Sequence, residues 1–417
     1  MTPLAVSAGT LTTALGAGCV ATLEALQAQR TGLAPVRFLD LPLPTWTGEV
    51  AGVDAVALPA HLSDFDCRNN RLAWLGLQQD GFLYAVAAAR ARWGARRVGV
   101  FLGTSTSGLL ETETAYRRRG PDGALPADFL YGPTQNTYSL ADFFTQALDL
   151  HGPSWVVSTA CSSSAKVFGT AARLIAAGLI DAAVVGGVDS LCQTTLYGFN
   201  SLELLSSDIC RPWDAARNGL SIGEAAAFAL VEREAGPASC GAGSRAGVGA
   251  DGGAGGGVMA PPLGWLLGVG ESNDGYHMST PHPQGAGAIA AMRGALADAH
   301  LQPADIDYIN LHGTATPSND AAEDRAVGQV VGLATPCSST KGATGHTLGA
   351  AGGVEALIAL LAMRHGLMPA GLNVHRLDAE LQLDYLLGNR HAPVRRVASN
   401  SFGFGGSNAC LVFGGVA

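Results

Sequence analysis

The stretch that most constrains the fold is residues 155–178, WVVSTACSSSAKVFGTAARLIAAG. Its first four residues form a short apolar run that is typical of a buried strand, and from residue 162 onward apolar residues recur at helical spacing. Cys161 therefore falls where a strand turns sharply into a helix. A helix start favours a thiolate, because its unpaired N–H groups and its dipole lower the thiol pKa. This position predicts a reactive nucleophile, against the alternative of a buried structural cysteine.

The composition predicts two α/β halves. The chain has 417 residues, of which 47% are hydrophobic and 14% charged, enough for a large interior but too many residues for one simple core. Buried strands alternate with helices throughout, which indicates parallel-sheet units. A stretch of nearly only Gly, Ala, Ser and Pro divides the chain, so we predict halves at 1–235 and 263–417 and a linker at 236–262. Apolar spacing predicts one long helix over 71–92.

Charge and cysteine usage exclude several classes. The net charge of −9 argues against nucleic acid as the main partner. The eight cysteines show no CxxC pair and no regular spacing, which indicates neither a disulfide framework nor a zinc site and suits a reducing compartment. The N-terminus lacks the basic region of a signal peptide, and no window of about 18 apolar residues is uninterrupted. We therefore expect a cytoplasmic protein without a membrane span.

Three polar motifs follow or border predicted strands, where α/β proteins place their sites. They are the Cys161 junction, HGTAT at 312–316 and KGATGH at 341–346. A single histidine is more often structural, but two histidines in Gly/Thr loops together with a helix-start cysteine predict one catalytic site. A Ser-Thr pair before a loop and a helix occurs at 158–159 and again at 339–340, a weak sign of internal duplication.

Four motifs, TACSSS, NLHGTATPSND, KGATGHTLGAAGGVEA and NSFGFGGSN, resemble the signatures of the β-ketoacyl-acyl-carrier-protein synthases of the I/II type, which are condensing enzymes of the thiolase superfamily. They occur in the family's order over essentially the whole chain. The resemblance implies a thiolase-like five-layered αβαβα fold from two duplicated halves, an obligate dimer and an acyltransferase. It implies decarboxylative Claisen condensation of an acyl group on Cys161 with malonyl-acyl-carrier-protein, giving 3-oxoacyl-acyl-carrier-protein. It implies no metal and no cofactor, since phosphopantetheine of the carrier protein holds the substrates.

The resemblance also implies roles for single residues. The backbone N–H groups of Cys161 and Phe404 would form the oxyanion hole, where one donor is worth about 3 kcal/mol. Phe404 would also gate the site between acyl transfer and condensation. His312 and His346, as neutral donors, would bind the malonyl thioester carbonyl and stabilise the enolate.

Further residues would support or bind the substrate. Lys341 would pair with Glu355 and hold the His346 loop, and Asp320 would order the His312 loop next to the substrate. The hydroxyls of Thr314 and Thr316 would contact the pantetheine arm.

The resemblance also bears on one residue of the acyl pocket and on two surfaces that could bind the carrier protein. Thr106 stands where a bulky aliphatic residue often limits the acyl pocket of the family. Carrier protein is acidic, so we expect a basic docking patch at Arg68 and Arg71, with 117–119 as second choice.

Departures from the family pattern leave the pathway open. Ser407 replaces the usual threonine of the last motif, and the loop 206–211 looks shorter than in the fatty-acid enzymes. These differences slightly favour a specialised polyketide or aryl-polyene synthase over fatty-acid elongation. Homodimer and heterodimer with a chain-length-factor subunit both stay open.

Three other functions are weighed against an active condensing enzyme. A non-catalytic chain-length-factor-like partner typically lacks the nucleophile, whereas Cys161 and both histidines are present. A degradative thiolase would have a second cysteine where the Phe404 turn stands, and a starter synthase of the third branch would have Asn in place of His346.

Overall fold

The structure is a computed structural model that describes residues 1–233 and 261–415. These residues form the helices α1 (Cys19–Gln27), α2 (Arg68–Leu77), α3 (Phe82–Trp93), α4 (Leu109–Arg117), α5 (Ser139–Leu148), α6 (Ser163–Ala176), α7 (Gln193–Ser201), α8 (Ala286–Asp298), α9 (Pro317–Val330), α10 (Lys341–Thr344) and α11 (Ala351–His365). They form the strands β1 (Leu4–Thr13), β2 (Gly16–Ala17), β3 (Ala34–Pro35), β4 (Trp46–Gly48), β5 (Val98–Gly103), β6 (Ser154–Val157), β7 (Ala182–Asp189), β8 (Ile222–Gly223), β9 (Ala225–Glu232), β10 (Gly264–Asn273), β11 (Tyr308–Asn310), β12 (Cys337–Ser338), β13 (Leu367–Met368), β14 (Arg390–His391), β15 (Arg396–Gly403) and β16 (Ser407–Gly414).

The main sheet is built from two equivalent sets of five strands. Its order is β12-β11-β15-β16-β10-β1-β9-β7-β5-β6, with β2 paired to β1. From either edge inward, the pairings run parallel, parallel, antiparallel, antiparallel. The two sets meet through three antiparallel residue pairs of β1 and β10, from Leu4–Leu266 to Val6–Gly264. This repeated pairing pattern confirms the predicted duplication.

The helices complete five layers. Helices α6 and α11 lie against each other between the two strand sets, α6 against β5 and β7 and α11 against β15 and β9. Helices α2, α3 and α5 cover the outer face of the first set, and α8 and α9 cover the outer face of the second. The order helix, sheet, helix, sheet, helix is the αβαβα architecture that the resemblance implies.

The middle layer accounts for one very apolar stretch. In the described part of the chain, Leu348–His365 is the stretch whose length and composition would allow it to cross a membrane, with a mean hydropathy of 1.2 over 18 residues. Of that stretch, 83% is buried inside the protein. A helix with sheets on both sides is apolar all round for the same reason as a membrane helix, because no face meets water.

The structure bears on two further expectations from the sequence, one long helix and one linker. The single helix predicted over 71–92 is wrong, because the chain forms α2 and α3 with a break at Asp80 and Gly81, whose φ values are 55° and 69°. Two successive residues in the left-handed region end an α-helix. The predicted linker 236–262 lies outside the described residues except for its last two, so the boundaries of the two halves stay a prediction.

Candidate active site

The structure places Cys161 at the predicted junction. Strand β6 ends at Val157 and α6 begins at Ser163, so the thiol lies two residues before the helix. The preceding Ala160 has φ 52°, an uncommon backbone conformation for a residue with a side chain. The Ser163 hydroxyl accepts the Thr159 N–H at 2.9 Å and thereby stabilises this tight turn. The turn presents the Sγ atom of Cys161 toward the second half of the molecule.

The resting thiol is protonated, contrary to the expectation of a lowered pKa. Cys161 is 4% exposed, and burial raises the pKa of its thiol to about 12. The Lys341 ammonium and the backbone N–H of Phe404, which hydrogen-bonds the sulfur, both lower this pKa but do not offset the loss of water. When the thiolate forms during a reaction, donors within the site must therefore stabilise it, because burial removes the stabilisation that water would give.

The two histidines present the same ring nitrogen to the site. Nε2 of His346 lies 3.0 Å from Sγ of Cys161, and the Leu348 N–H donates to Nδ1 of His346 at 3.1 Å. Nζ of Lys341 lies 3.3 Å from Nδ1 of His312. Burial and the nearby ammonium hold the pKa of both histidines well below its usual range, so both are neutral. Since each Nδ1 faces a donor, each proton lies on Nε2.

The predicted Lys341–Glu355 pair is present, and it also contacts His312. Nζ of Lys341 contacts Oε1 of Glu355 and donates to the backbone carbonyl of His312 as well as lying near its ring. The pair also joins the start of the 341–346 segment to α11, so its predicted role in holding the His346 loop stays a prediction. Burial raises the pKa of Glu355 to about 7, and the ammonium opposes that rise. The pair therefore sets the position and protonation of His312.

The His312 loop has a second support that sequence reasoning missed. Glu323 on α9 is buried and accepts the N–H groups of His312 and Gly313, each at 2.8 Å. Asn400 donates to the same carboxyl at 3.1 Å. Burial raises the pKa of Glu323 to about 7. Its spacing of three residues from Asp320 on one helix face was the available signal.

Asp320 orders the same loop rather than contacting the cleft. Its carboxyl accepts the N–H of Ala315 at 3.2 Å and that of Trp213 at 3.1 Å, and it lies 3.3 Å from Arg217. The side chain is fully buried and is absent from the lining of the cleft at Cys161. The predicted ordering role agrees with these contacts, whereas the predicted substrate contact does not.

A narrow cleft opens onto Cys161 and both histidines. Thr314 and Thr316 line it, with their hydroxyls 2.9 Å apart. The ring of Phe404 also lines it and stacks on Phe199 of α7, with centroids 5.4 Å apart and planes at 29°. Gly405 follows with φ 75°, and its N–H donates to the Met278 carbonyl at 2.7 Å. Phe404 is thus placed where a gate would stand, and Phe199 is a contact that the sequence did not reveal.

Thr106 does not line this cleft. Its side chain is buried, and its hydroxyl donates to Oδ1 of Asp189 at 2.7 Å. The hydroxyl also accepts the N–H of Ser190 at 3.3 Å. This hydroxyl is occupied by contacts within the protein and is not free to bind substrate, while the expected place of Thr106 at the acyl pocket stays a prediction.

The predicted docking patch also needs correction. The Arg68 side chain is 3% exposed, and its guanidinium lies 2.6 Å from Glu224 and 2.6 Å from Asp54. An interior, neutralised guanidinium cannot meet a carrier protein, so the prediction is wrong for Arg68. Arg71 is part-exposed and pairs with Asp66 at 2.6 Å, and docking at Arg71 stays a prediction.

The second-choice patch at 117–119 is partly neutralised. Arg118 lies 2.9 Å from Asp128, and the Arg119 guanidinium lies over the Tyr116 ring at 5.3 Å. Arg117 contacts the side chain of Gln193. Because contacts within the protein partly occupy these three arginines, the segment attracts an acidic carrier protein less strongly than three free cations would.

Comparison with known proteins agrees with the geometry. The model of the beta-ketoacyl synthase N-terminal domain matches residues 72–236, and that of the C-terminal domain matches residues 263–375. The 3-oxoacyl-[acyl-carrier-protein] synthase 2 of Coxiella burnetii is 32% identical over 413 residues, which cover 93% of this chain and 92% of the relative.

Solved structures give the same result. A chain of the ketosynthase ApeO in complex with its chain length factor ApeC, from Xenorhabdus doucetiae, is 36% identical with a TM-score of 0.86, covering 100% of this chain and 98% of that one. A chain of the ishigamide ketosynthase/chain length factor is 25% identical with a TM-score of 0.86, covering 100% of both chains. This chain belongs to the β-ketoacyl synthase family.

Proposed function

We propose that this chain catalyses decarboxylative Claisen condensation of an acyl group on Cys161 with malonyl-acyl-carrier-protein, giving 3-oxoacyl-acyl-carrier-protein. The observation that carries the proposal is the 3.0 Å contact between Nε2 of His346 and Sγ of Cys161, with neutral His312 beside them. The two imidazole rings lie with centroids 5.4 Å apart at 87°. This arrangement gives a nucleophile and two N–H donors around one point of the cleft.

In the first half-reaction the sulfur of Cys161 attacks the carbonyl carbon of an acyl-carrier thioester. The carbonyl oxygen becomes an oxyanion, and the N–H groups of Cys161 and Phe404 stabilise it. The carbon–sulfur bond to the carrier then breaks, and the carrier thiolate takes up the proton that Cys161 lost. The His346 N–H stabilises the attacking sulfur while it carries negative charge.

In the second half-reaction malonyl-carrier loses CO₂, and the electron pair of the broken bond forms an enolate. The Nε2–H groups of His312 and His346 donate to the enolate oxygen, because neutral histidines can stabilise an anion without protonating it. The enolate carbon attacks the acyl-Cys161 carbonyl, and the Cys161 thiolate leaves and takes up one proton from solvent, which restores the resting thiol. The acyl chain of the product is two carbons longer than the acyl group that entered.

We propose that these steps need no metal and no cofactor. Sγ of Cys161 and ring nitrogens of the two histidines lie within 4.8 Å of one another, a set of donors that a metal ion could use. The Lys341 ammonium lies 3.3 Å from Nδ1 of His312, and its positive charge opposes a second cation in the same site. The donors are better matched to an anionic enolate.

We propose a specialised pathway and a dimer with a chain-length-factor-like subunit, with acyl carrier protein as the substrate carrier and the cytoplasm as the location. Two similar solved structures are ketosynthase and chain length factor complexes. Strand β6 stands at the end of the main sheet, and all four of its residues are part-buried. An open strand edge beside the nucleophile is a suitable place for a partner to add a strand.

Intact-protein mass spectrometry with a panel of acyl-carrier thioesters tests the proposal, with and without a coexpressed chain-length-factor-like subunit. We expect an acyl adduct on the wild type and on Cys337→Ala, a buried cysteine of β12, but not on Cys161→Ala. The acyl group that transfers fastest identifies the pathway, since long saturated chains indicate fatty-acid elongation and polyunsaturated or aryl chains a polyene. If no thioester acylates Cys161 in either preparation, the chain is not a condensing enzyme.

A further inference from the structure

Asp189 at the end of β7 is a buried carboxylate that gathers donors from two distant turns. Its Oδ1 accepts the hydroxyls of Thr104 at 2.6 Å and Thr106 at 2.7 Å. The same oxygen accepts the N–H groups of Ser105 at 2.8 Å and Thr106 at 2.9 Å. Its Oδ2 accepts the N–H of Gly349, which lies 160 residues further along the chain. One side chain therefore joins the turn after β5 to the turn after His346.

The turn that Asp189 anchors is the one that sets the His346 tautomer. Leu348 donates its N–H to Nδ1 of His346 at 3.1 Å, and Gly349, the next residue, donates to Asp189. There is no space for this turn to slide, since a Cβ on Gly349 would lie 2.8 Å from Oδ2 of Asp189 and 2.9 Å from the Ser105 nitrogen. If Gly349 moved, the Leu348 N–H would move with it.

The nucleophile helix touches the same point. A Cβ on Gly187 of β7 would lie 2.8 Å from Cβ of Ser164 and 3.2 Å from the Gly349 carbonyl. Ser164 in turn accepts the N–H of Gly353 at 2.8 Å. The end of β7, the start of α6 and the start of α11 are thus close together, next to the turn that donates to the carboxylate.

We propose that Asp189 is a positioning residue for the condensation, which acts by holding Nε2–H of His346 on the sulfur of Cys161. This inference rests on the proposed function. The carboxylate is suited to the task because it offers only acceptors, and all five groups that meet it are N–H or O–H donors. Burial raises the pKa of Asp189, and the hydrogen bonds from Thr104, Ser105 and Thr106 oppose that rise.

Replacing Asp189 by Asn would disrupt these hydrogen bonds with little change in the size of the side chain. Asn has the shape of Asp, but one of its terminal groups is an NH₂ donor, which would face an N–H or O–H donor of the protein. A buried donor facing a donor is left unsatisfied, so one of the two turns must move. When the 348–350 turn moves, Nδ1 of His346 loses its donor, and the ring is free to take the other tautomer.

The test is the single-turnover rate of Cys161 acylation, measured by intact mass in two backgrounds. We expect Asp189→Asn to lower the rate about 5- to 10-fold in the wild type, no more than the loss of the His346 N–H through which it acts. In a His346→Ala background the same substitution should change the rate less than about 3-fold, because the residue it acts through is gone. An equal loss in both backgrounds would mean a purely structural role and would overturn the proposal.

Asp181→Asn is the matched control. Asp181 directly precedes β7 at its other end, is buried and pairs with Arg97 at 2.6 Å, but it has no contact with either turn. Its effect on the rate should be the same in both backgrounds. Thermal unfolding of every variant checks that it is folded.

If Asp189→Asn does not fold, Thr106→Val provides the test, since it removes one donor and keeps the carboxylate. We expect a loss of about 2- to 5-fold that again disappears in the His346→Ala background. Wild-type protein that fails to acylate would contradict the proposed function. Wild-type protein that acylates, with a loss independent of His346, would contradict only the role of Asp189.

Discussion

The two edges of the main sheet carry the same local pattern with different chemistry. In the first half, β6 is followed by Ser158-Thr159, a tight turn and α6. In the second half, β12 is followed by Ser339-Thr340, the short helix α10, the His346 loop and then α11. Both helices lie in the middle layer, and both strands stand at the ends of the sheet. The Ser-Thr pairs, weak evidence of duplication by themselves, therefore occupy equivalent places in the fold.

The difference lies in what each junction does with its reactive residue. The first junction leaves the sulfur of Cys161 at the cleft, within reach of a histidine and a backbone N–H. The second buries Lys341 between Glu355 and His312, away from the cleft lining. A duplicated scaffold thus supplies a nucleophile from one copy and its electrostatic support from the other. The predictions below test that division of roles.

The largest expected effect is the loss of stability in Lys341→Met. The substitution leaves the Glu355 carboxylate buried without its counter-ion, which costs about 3–5 kcal/mol. Lys166→Met is the matched control, because it replaces the chain's other lysine, which is half-buried in α6 and forms no ion pair within 4.0 Å with the described residues. We expect that control to cost less than about 1 kcal/mol. Urea denaturation at one fixed protein concentration measures both.

The double variant Lys341→Met with Glu355→Leu separates stability from function. Replacing both partners by apolar residues should restore most of the free energy of unfolding, since no buried charge is left unpaired. Decarboxylation of malonyl-carrier should not recover, because Nδ1 of His312 still lacks its donor. Recovery of both would show that the pair only supports the fold.

The architecture could be predicted from the sequence because its signals are local and repeated. Alternating buried strands and helices, the strand–Cys–helix stretch at 155–178 and polar motifs at strand ends each depend on neighbouring residues. The motifs at Cys161, His312 and His346 then come together at one cleft, as the structure places them. Parallel strands bring their ends to one edge within each half, and the contact between α6 and α11 in the middle layer brings the motifs of the two halves together.

The rest depended on contacts that no local pattern records. Glu323 and Asp189 look like ordinary acidic residues until the fold brings backbone N–H groups to them. Arg68 looked like a surface cation, but Glu224, 156 residues away, takes its guanidinium into the interior. The pKa of Cys161 was predicted from the helix start alone, whereas burial has the larger effect. Each error concerns a long-range partner or desolvation.

The next prediction distinguishes the roles of His312 and His346. His346 contacts the sulfur directly, whereas His312 has no hydrogen bond to it. Both should lose about 100-fold in malonyl-carrier decarboxylation when replaced by Ala, because each removes one donor to the enolate oxygen. Single-turnover acylation of Cys161 should fall about 10-fold in His346→Ala and stay within about 3-fold of wild type in His312→Ala. Equal losses in acylation would mean that the second junction acts on the nucleophile as strongly as on the enolate.

The smallest effect is a pH dependence of stability at the support of the His312 loop. Burial raises the pKa of Glu323 to about 7, above the value of about 4.3 expected in the unfolded chain. Between these two values the folded protein binds more protons than the unfolded one, so this contribution is complete below about pH 4.3 and is lost as the pH rises through about 7. Glu323→Gln does not titrate.

The cost of Glu323→Gln should therefore be larger at pH 5 than at pH 8, by roughly 1–2 kcal/mol. Urea denaturation of wild type and variant at both pH values measures it, and the other buried acids cancel because both proteins contain them. A cost that is nearly the same at both pH values would mean that the carboxylate is ionised throughout and that the N–H groups of His312 and Gly313 outweigh burial. In that case two charged side chains, Lys341 and Glu323, would both hold the His312 loop in place, just as Asp189 holds the turn that positions His346.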